Sequence, residues 1–127
     1  MYAIKNDGGF TLIEFLVAVI ILMVGLLGLL QSVNLAISTN KVNLLRNEAV
    51  IVADQEISRQ IAKGFDLMST NAGTSVIRRP ILNSFQNYSV IRTEVPRFSN
   101  SKMLKLEVRW SYKNVGYTHD ASAVLSK

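Results

Sequence analysis

The sequence reads as an α+β protein: one long N-terminal helix, apolar in its first half and amphipathic in its second, packed on a small antiparallel sheet of about three strands. Three observations predict this. Residues 15–30, FLVAVIILMVGLLGLL, contain no polar side chain. Residues 31–63 contain no Pro or Gly, and their apolar positions return at three- and four-residue steps. Residues 103–112, MLKLEVRWSY, alternate apolar with polar, as a half-buried strand does.

The apolar segment extends back to Phe10, interrupted by Thr11 and Glu14. As a helix, residues 10–30 are about 31 Å long, roughly the thickness of a bilayer's hydrocarbon core. A cleaved secretory signal is the competing reading, and two features weigh against it. The stretch is longer than the usual apolar core of such a signal, and Gln31-Ser32-Val33-Asn34 follows it where a small-residue cleavage site is required. Residues 10–30 therefore read as a membrane span.

Beyond the span, Leu35, Val42, Leu45, Ala49, Val52 or Ala53, and Ile57 mark one helical face. Asn40, Asn43, Asn47, Asp54, and Arg59 or Lys63 mark the other. Gly64, preceded by Lys63, stands where a C-terminal cap is expected. The amphipathic helix thus covers 31–63, and 64–127 form the head. Within the head, 69–75 (STNAGTS) read as a loop, and Arg78-Arg79-Pro80 as a helix stop. Residues 87–95 read as a strand stopped by Pro96. In 103–112, Leu104, Leu106, Val108, Trp110 and Tyr112 share one face, with Lys105, Glu107, Arg109 and Ser111 on the other. Asn114-Val115-Gly116 reads as a hairpin turn. Residues 117–125 return with Tyr117, His119, Ala121, Ala123 and Leu125 aligned. Such a sheet needs a cover on its apolar face, and the amphipathic helix supplies it.

Composition narrows the function. Without Cys, the chain has no disulfide, no thiolate nucleophile and no Cys-ligated metal. One His and no clustered carboxylates leave almost no material for a triad, a dyad or a metal site, so an enzyme is not expected and no cofactor is called for. His119 beside Asp120 reads as a strand residue and its neighbour. The net charge of +5 is concentrated beyond the span. Residues 1–30 hold one Lys and two carboxylates, so the remaining 97 residues carry 13 basic and 7 acidic side chains. Between 78 and 113, Arg78, Arg79, Arg92, Arg97, Lys102, Lys105, Arg109 and Lys113 face only Glu94 and Glu107, with Tyr88, Phe98, Trp110 and Tyr112 interleaved. This pattern admits DNA contact. Trp110 and Tyr112 fall on the apolar strand face, however, which favours ordinary solvated charge.

The segment with the most specific chemistry is Gly8-Gly9-Phe10-Thr11-Leu12-Ile13-Glu14. Gly8 and Gly9, lacking Cβ atoms, leave the backbone unobstructed and free to adopt conformations that other residues resist. Glu14 is a carboxylate inside an apolar zone, a placement that costs about 2.5–3.5 kcal/mol for related charges and calls for a partner. The segment resembles the processing site of type IV prepilins and type II secretion pseudopilins, a likeness that is strong over 8–30 and looser to about 63.

That resemblance implies a type IV pilin-like fold. A membrane-embedded prepilin peptidase would remove a leader of residues 1–9 by cutting between Gly9 and Phe10, and Phe10 would become the N-methylated first residue. Glu14 would then attract the new amine of an adjoining subunit during filament assembly. The resemblance also implies a bacterial inner-membrane location, with the leader in the cytoplasm and the head in the periplasm, before incorporation into the pilus. Charge does not decide that orientation, since Lys5 precedes the span while Lys41 and Arg46 follow it. Gly25 and Gly28 form a small patch for close helix packing, or are simply glycines tolerated in lipid. The string from Ile20 to Leu30, with Arg46-Asn47-Glu48-Ala49 and Ala53-Asp54-Gln55-Glu56, is similar to PilV-type minor pilins, which prime or cap pilus assembly alongside other major and minor pilins. A minor pseudopilin of type II secretion is similar over the same segment. Many major pilins carry a Pro where this chain has Gly25 and Gly28.

Overall fold

A computed structural model describes residues 8–68 and 72–127, with the side chains of 96–98 excepted. One helix, α1, runs Leu12–Ala62. Four strands follow: β1 Gly73–Ile81, β2 Ser84–Phe98, β3 Ser101–Tyr112 and β4 Val115–Ser126. They form one antiparallel sheet in the order β1-β2-β3-β4. Residues 1–7 of the expected leader lie outside the described residues. The chain divides into two compact units, Met1–Asn40 and Lys41–Lys127.

In the first unit, α1 leaves its apolar side chains open, from Leu12 at 77% exposure to Ile37 at 60%. Leu35 belongs to the expected covered face, yet it is exposed, and the buried positions of α1 start at Leu45. The expectation therefore fails at Leu35 and holds from Leu45 onward.

In the second unit, the helix from Lys41 to Ala62 packs on the sheet. Leu45, Ala49, Val52 and Ala53 are buried against a core that includes Tyr88, Val90, Leu104, Leu106, Val108 and Trp110. Ala49 and Ala53 are fully covered, and their small side chains let helix and sheet approach closely. The polar face expected at Asn43, Asn47, Asp54 and Arg59 is exposed. Gly64 ends the helix with φ +81°, and its N–H donates to the Ile61 carbonyl at 2.9 Å. A left-handed residue here satisfies a free carbonyl at no Cβ cost.

The sheet has four strands, one more than expected. Gly73–Ser75, the end of the expected polar loop, open β1; residues 69–71 of that loop lie outside the described residues. The alternation of β1 is hard to see because its helix-side positions include Gly73, Ser75 and Arg79. Pro80 is accommodated because β1 is an edge strand, where one flank needs no donor. Pro96 does not stop β2 either. Pro96 stays within the strand, paired with Lys102 of β3, and the register shifts between Pro96 and Phe98. The last turn also differs. Lys113 (φ 50°) and Asn114 (φ 63°) form it, and Gly116 already pairs with Ser111 in the ladder. Two positive φ values in a two-residue turn match the twist of the strands it joins. The expected faces of β3 and β4 hold: Leu104, Leu106, Val108 and Trp110 are buried, and Tyr117 to Leu125 alternate between half-buried and exposed.

Tyr88 ties sheet to helix. Its ring is fully buried, and its hydroxyl donates to the Leu45 carbonyl at 3.0 Å. Burial, reinforced by nearby Glu48, pushes the phenol up from 10.0 to about 12. Below pH 10 the phenol keeps its proton whether the chain is folded or not. Between 10 and about 12 the unfolded chain releases it and the folded chain does not, so stability falls through that window, by roughly 2–3 kcal/mol. Tyr88→Phe is expected to remove this slope and to cost about 1 kcal/mol at neutral pH. Urea denaturation of the detergent-solubilised chain at pH 8 and pH 11 measures both effects.

Candidate processing and assembly site

The helix starts with a reciprocal cap. Thr11 is the N-cap, its carbonyl accepting from the Phe15 N–H at 3.2 Å. The Glu14 N–H donates to Thr11 Oγ1 at 3.2 Å, and the Thr11 N–H donates to Glu14 Oε2 at 3.1 Å. The Thr11 hydroxyl reaches the same Oε2 at 3.3 Å. This is a capping box: Thr at N-cap and Glu three residues later satisfy each other's backbone donors. The carboxylate also meets the positive end of the helix dipole. Glu14, expected as an acid in need of a partner, thus holds one in its own chain, and among the described residues its carboxylate is bonded through Oε2.

The cap fixes what lies ahead of it. Gly8, Gly9 and Phe10 stand outside the helix and exposed, Phe10 at 89%. A Cβ built at Gly8 or Gly9 meets nothing within 4 Å. The Gly9–Phe10 peptide is therefore open backbone, one residue before a helix start. Immediately behind it runs a helix long and apolar enough to cross a membrane, with its most apolar window uncovered by the rest of the chain. Gly25 and Gly28 lie on that helix with open space where their Cβ atoms would be, and Ser32 Oγ donates to the Gly28 carbonyl at 3.1 Å.

A second polar centre, in the head, escaped the sequence reading. Glu56 is buried among core residues of α1. Its Oε1 accepts from Arg92 Nη1 at 2.9 Å and from Gln60 Nε2 at 2.8 Å, and its Oε2 from Arg59 Nη1 at 3.3 Å. Gly73, paired with Arg92 across the sheet, admits the guanidinium: a Cβ there would lie 2.8 Å from Arg92 Nη2. The signal was present, because Glu56 and Gln60 continue the three- and four-residue steps of Ala49, Val52 and Ala53. A charge on a covered face requires a buried partner.

Four of the eight bases between 78 and 113 are paired with carboxylates. Arg79 pairs with Glu48, Arg92 with Glu56, and Lys102 lies 3.9 Å from Glu94 while donating to the Phe65 carbonyl at 3.0 Å. Arg109 grips Glu107 through two bonds of 2.7 and 3.0 Å, and this grip holds the Glu107 carboxyl below its usual range. Trp110 is buried between Tyr88 and Tyr117, with ring centroids 5.9 and 5.7 Å away. The side chains of Arg97 and Phe98 lie outside the described residues.

Residues 4–30 match the family model of the prokaryotic N-terminal methylation motif. No curated protein and no solved structure matches the chain. The motif and the apolar helix point to a type IV pilin- or pseudopilin-like structural subunit. The motif implies processing by a prepilin peptidase and assembly with other pilins, and it fits inner-membrane anchoring followed by pilus incorporation.

Proposed function

We propose that the chain is a minor pilin of the PilV type, cut between Gly9 and Phe10, N-methylated on Phe10, and assembled through Glu14. One observation carries this reading: the capping box begins the helix at Thr11, leaving Gly9–Phe10 as open peptide ahead of an uncovered apolar helix. A peptidase needs extended backbone, and the N-cap keeps that bond out of the helix. After the cut, Oε1 of Glu14 is the oxygen left to receive an ammonium while Oε2 keeps its bonds to Thr11. The amine of Phe10 in an adjoining subunit supplies that ammonium and sets the axial register. Gly25 and Gly28 let neighbouring helices approach. The minor-subunit assignment draws on the Ile20–Leu30 string, on Arg46–Ala49 and Ala53–Glu56, and on the absence of a Pro near Gly25 and Gly28.

Mass spectrometry of the chain isolated from its own membranes tests the processing. It is expected to find a start at N-methyl-Phe10; a functional chain retaining Gly9 would sink the proposal. Glu14→Ala is expected to insert and be cut, yet to enter filaments at least about tenfold less well, as loss of one partner of an apolar ion pair implies. Comparing its level in sheared filaments with that in membranes gives the answer, and equal incorporation defeats the role. The major subunit that co-purifies decides between a pilus and a type II secretion pseudopilus.

A further inference from the structure

One end of the head carries an unusual pair of hairpin tips. The β1–β2 turn at Leu82–Asn83 and the β3–β4 turn at Lys113–Asn114 lie at the same end of the sheet, where Gln86 Nε2 donates to the Ser111 carbonyl at 3.2 Å. Lys41, the first residue of the second unit, reaches the same end: its Nζ lies 5.6 Å from the centre of the Tyr112 ring, with Lys113 Nζ at 5.5 Å. In the chain, Lys41 follows Leu30 by 11 positions.

The tips expose what a soluble turn ordinarily avoids. Leu82 is 78% exposed and held at φ +52°, a left-handed conformation that a bulky aliphatic residue rarely takes. Phe85 is 63% exposed with Arg78 over its ring at 4.2 Å, and Val115 is 52% exposed. None of the three belongs to the core, so their apolar surface contributes little to folding. Cations accompany them: Lys41, Arg78 and Lys113. Glu48, the carboxylate that α1 carries near this end, is already held by Arg79. Apolar tips among cations that make no ion pair with the described residues are the composition of a surface that rests on anionic lipid, with aliphatic and aromatic groups at the acyl boundary and bases at the phosphates.

We propose that this hairpin end docks the head on the anionic surface of the membrane its own helix enters, with Leu82, Phe85 and Val115 dipping into the interface and Lys41, Arg78 and Lys113 meeting headgroup phosphates. The inference rests on the reading of residues 10–30 as a span. A phosphodiester backbone would use the cations but not the aliphatic tips, which is why lipid is the partner assigned. Docking keeps the unassembled subunit close to the bilayer, and leaving for a filament breaks these contacts.

The absence of Cys makes the test direct. A single thiol is introduced by Asn83→Cys, or by Asn100→Cys at the opposite end of the sheet, and labelled with a polarity-sensitive fluorophore. The full chain is placed in nanodiscs of phosphatidylcholine with or without phosphatidylglycerol. The probe at 83 is expected to be quenched by headgroup spin-labelled lipid and shielded from acrylamide, several-fold more than the probe at 100, and only with anionic lipid. Leu82→Ser with Phe85→Ser should abolish the difference. Arg78→Gln and Lys113→Gln should each lower docking about fivefold, as expected for one cation at an anionic surface. Equal acrylamide access at 83 and 100 in an inserted chain overturns the docking surface and leaves the span intact. Identical quenching in neutral lipid overturns the anionic assignment. Failure of the chain to insert overturns both readings.

Discussion

Arg92→Ala is expected to destabilise the head by about 3–5 kcal/mol, the range found when one partner of a buried ion pair is removed. The reason is Glu56. Its carboxylate is buried beneath α1, and Arg92 supplies the closest of its cationic contacts, at 2.9 Å. What remains after the substitution is the Gln60 amide and an Arg59 side chain that is 68% exposed and 3.3 Å away. Neither compensates a buried charge. Replacing both members of the pair by Leu is expected to recover most of the loss, because the desolvation cost disappears together with the attraction. Urea denaturation of the detergent-solubilised chain, followed through Trp110, reads both variants. A single-variant loss within about 0.5 kcal/mol of parent, the range of ordinary surface changes, would sink the claim.

Gly9→Val is expected to block leader removal while leaving the fold untouched. A Cβ at this position meets nothing within 4 Å, so the chain itself has no objection to a larger side chain. The objection is the peptidase's. On the proposed cut it must reach the Gly9–Phe10 carbonyl closely enough for attack, and displacement of a reacting bond by about 1 Å costs on the order of a hundredfold in rate. Intact mass measured over time in membranes containing the peptidase should show the uncut chain accumulating. Cleavage at the parental rate would place the cut elsewhere.

These two substitutions probe centres that differ in how readable they are. The processing segment is local: seven consecutive residues and the apolar run behind them carry its chemistry, and the capping box adds only that Glu14 is bonded to Thr11 before any neighbour arrives. The Glu56 centre is assembled from residues 36 positions apart, and its meaning depends on a glycine in a strand that the alternation rule did not find. β1 stayed hidden because two of its helix-side residues, Gly73 and Ser75, are small and a third, Arg79, is charged and satisfied by Glu48. β3 was plain because its apolar positions are large and its neighbours on both sides are strands. Pro96 misled because the strand absorbs it beside a register shift between Pro96 and Phe98, where the ladder is irregular.

The order β1-β2-β3-β4 also governs how the head reaches its native state. Every strand pairs with its neighbour in sequence, across turns of two residues, so zipping up the sheet sacrifices little chain freedom at each step. Seating the helix is a different event, since the bond from Tyr88 to Leu45 closes a loop of 43 positions. The meander is the inexpensive portion of the process, and the slower search belongs to the arrival of Leu45, Ala49 and Val52 on a surface that the hairpins have already laid out.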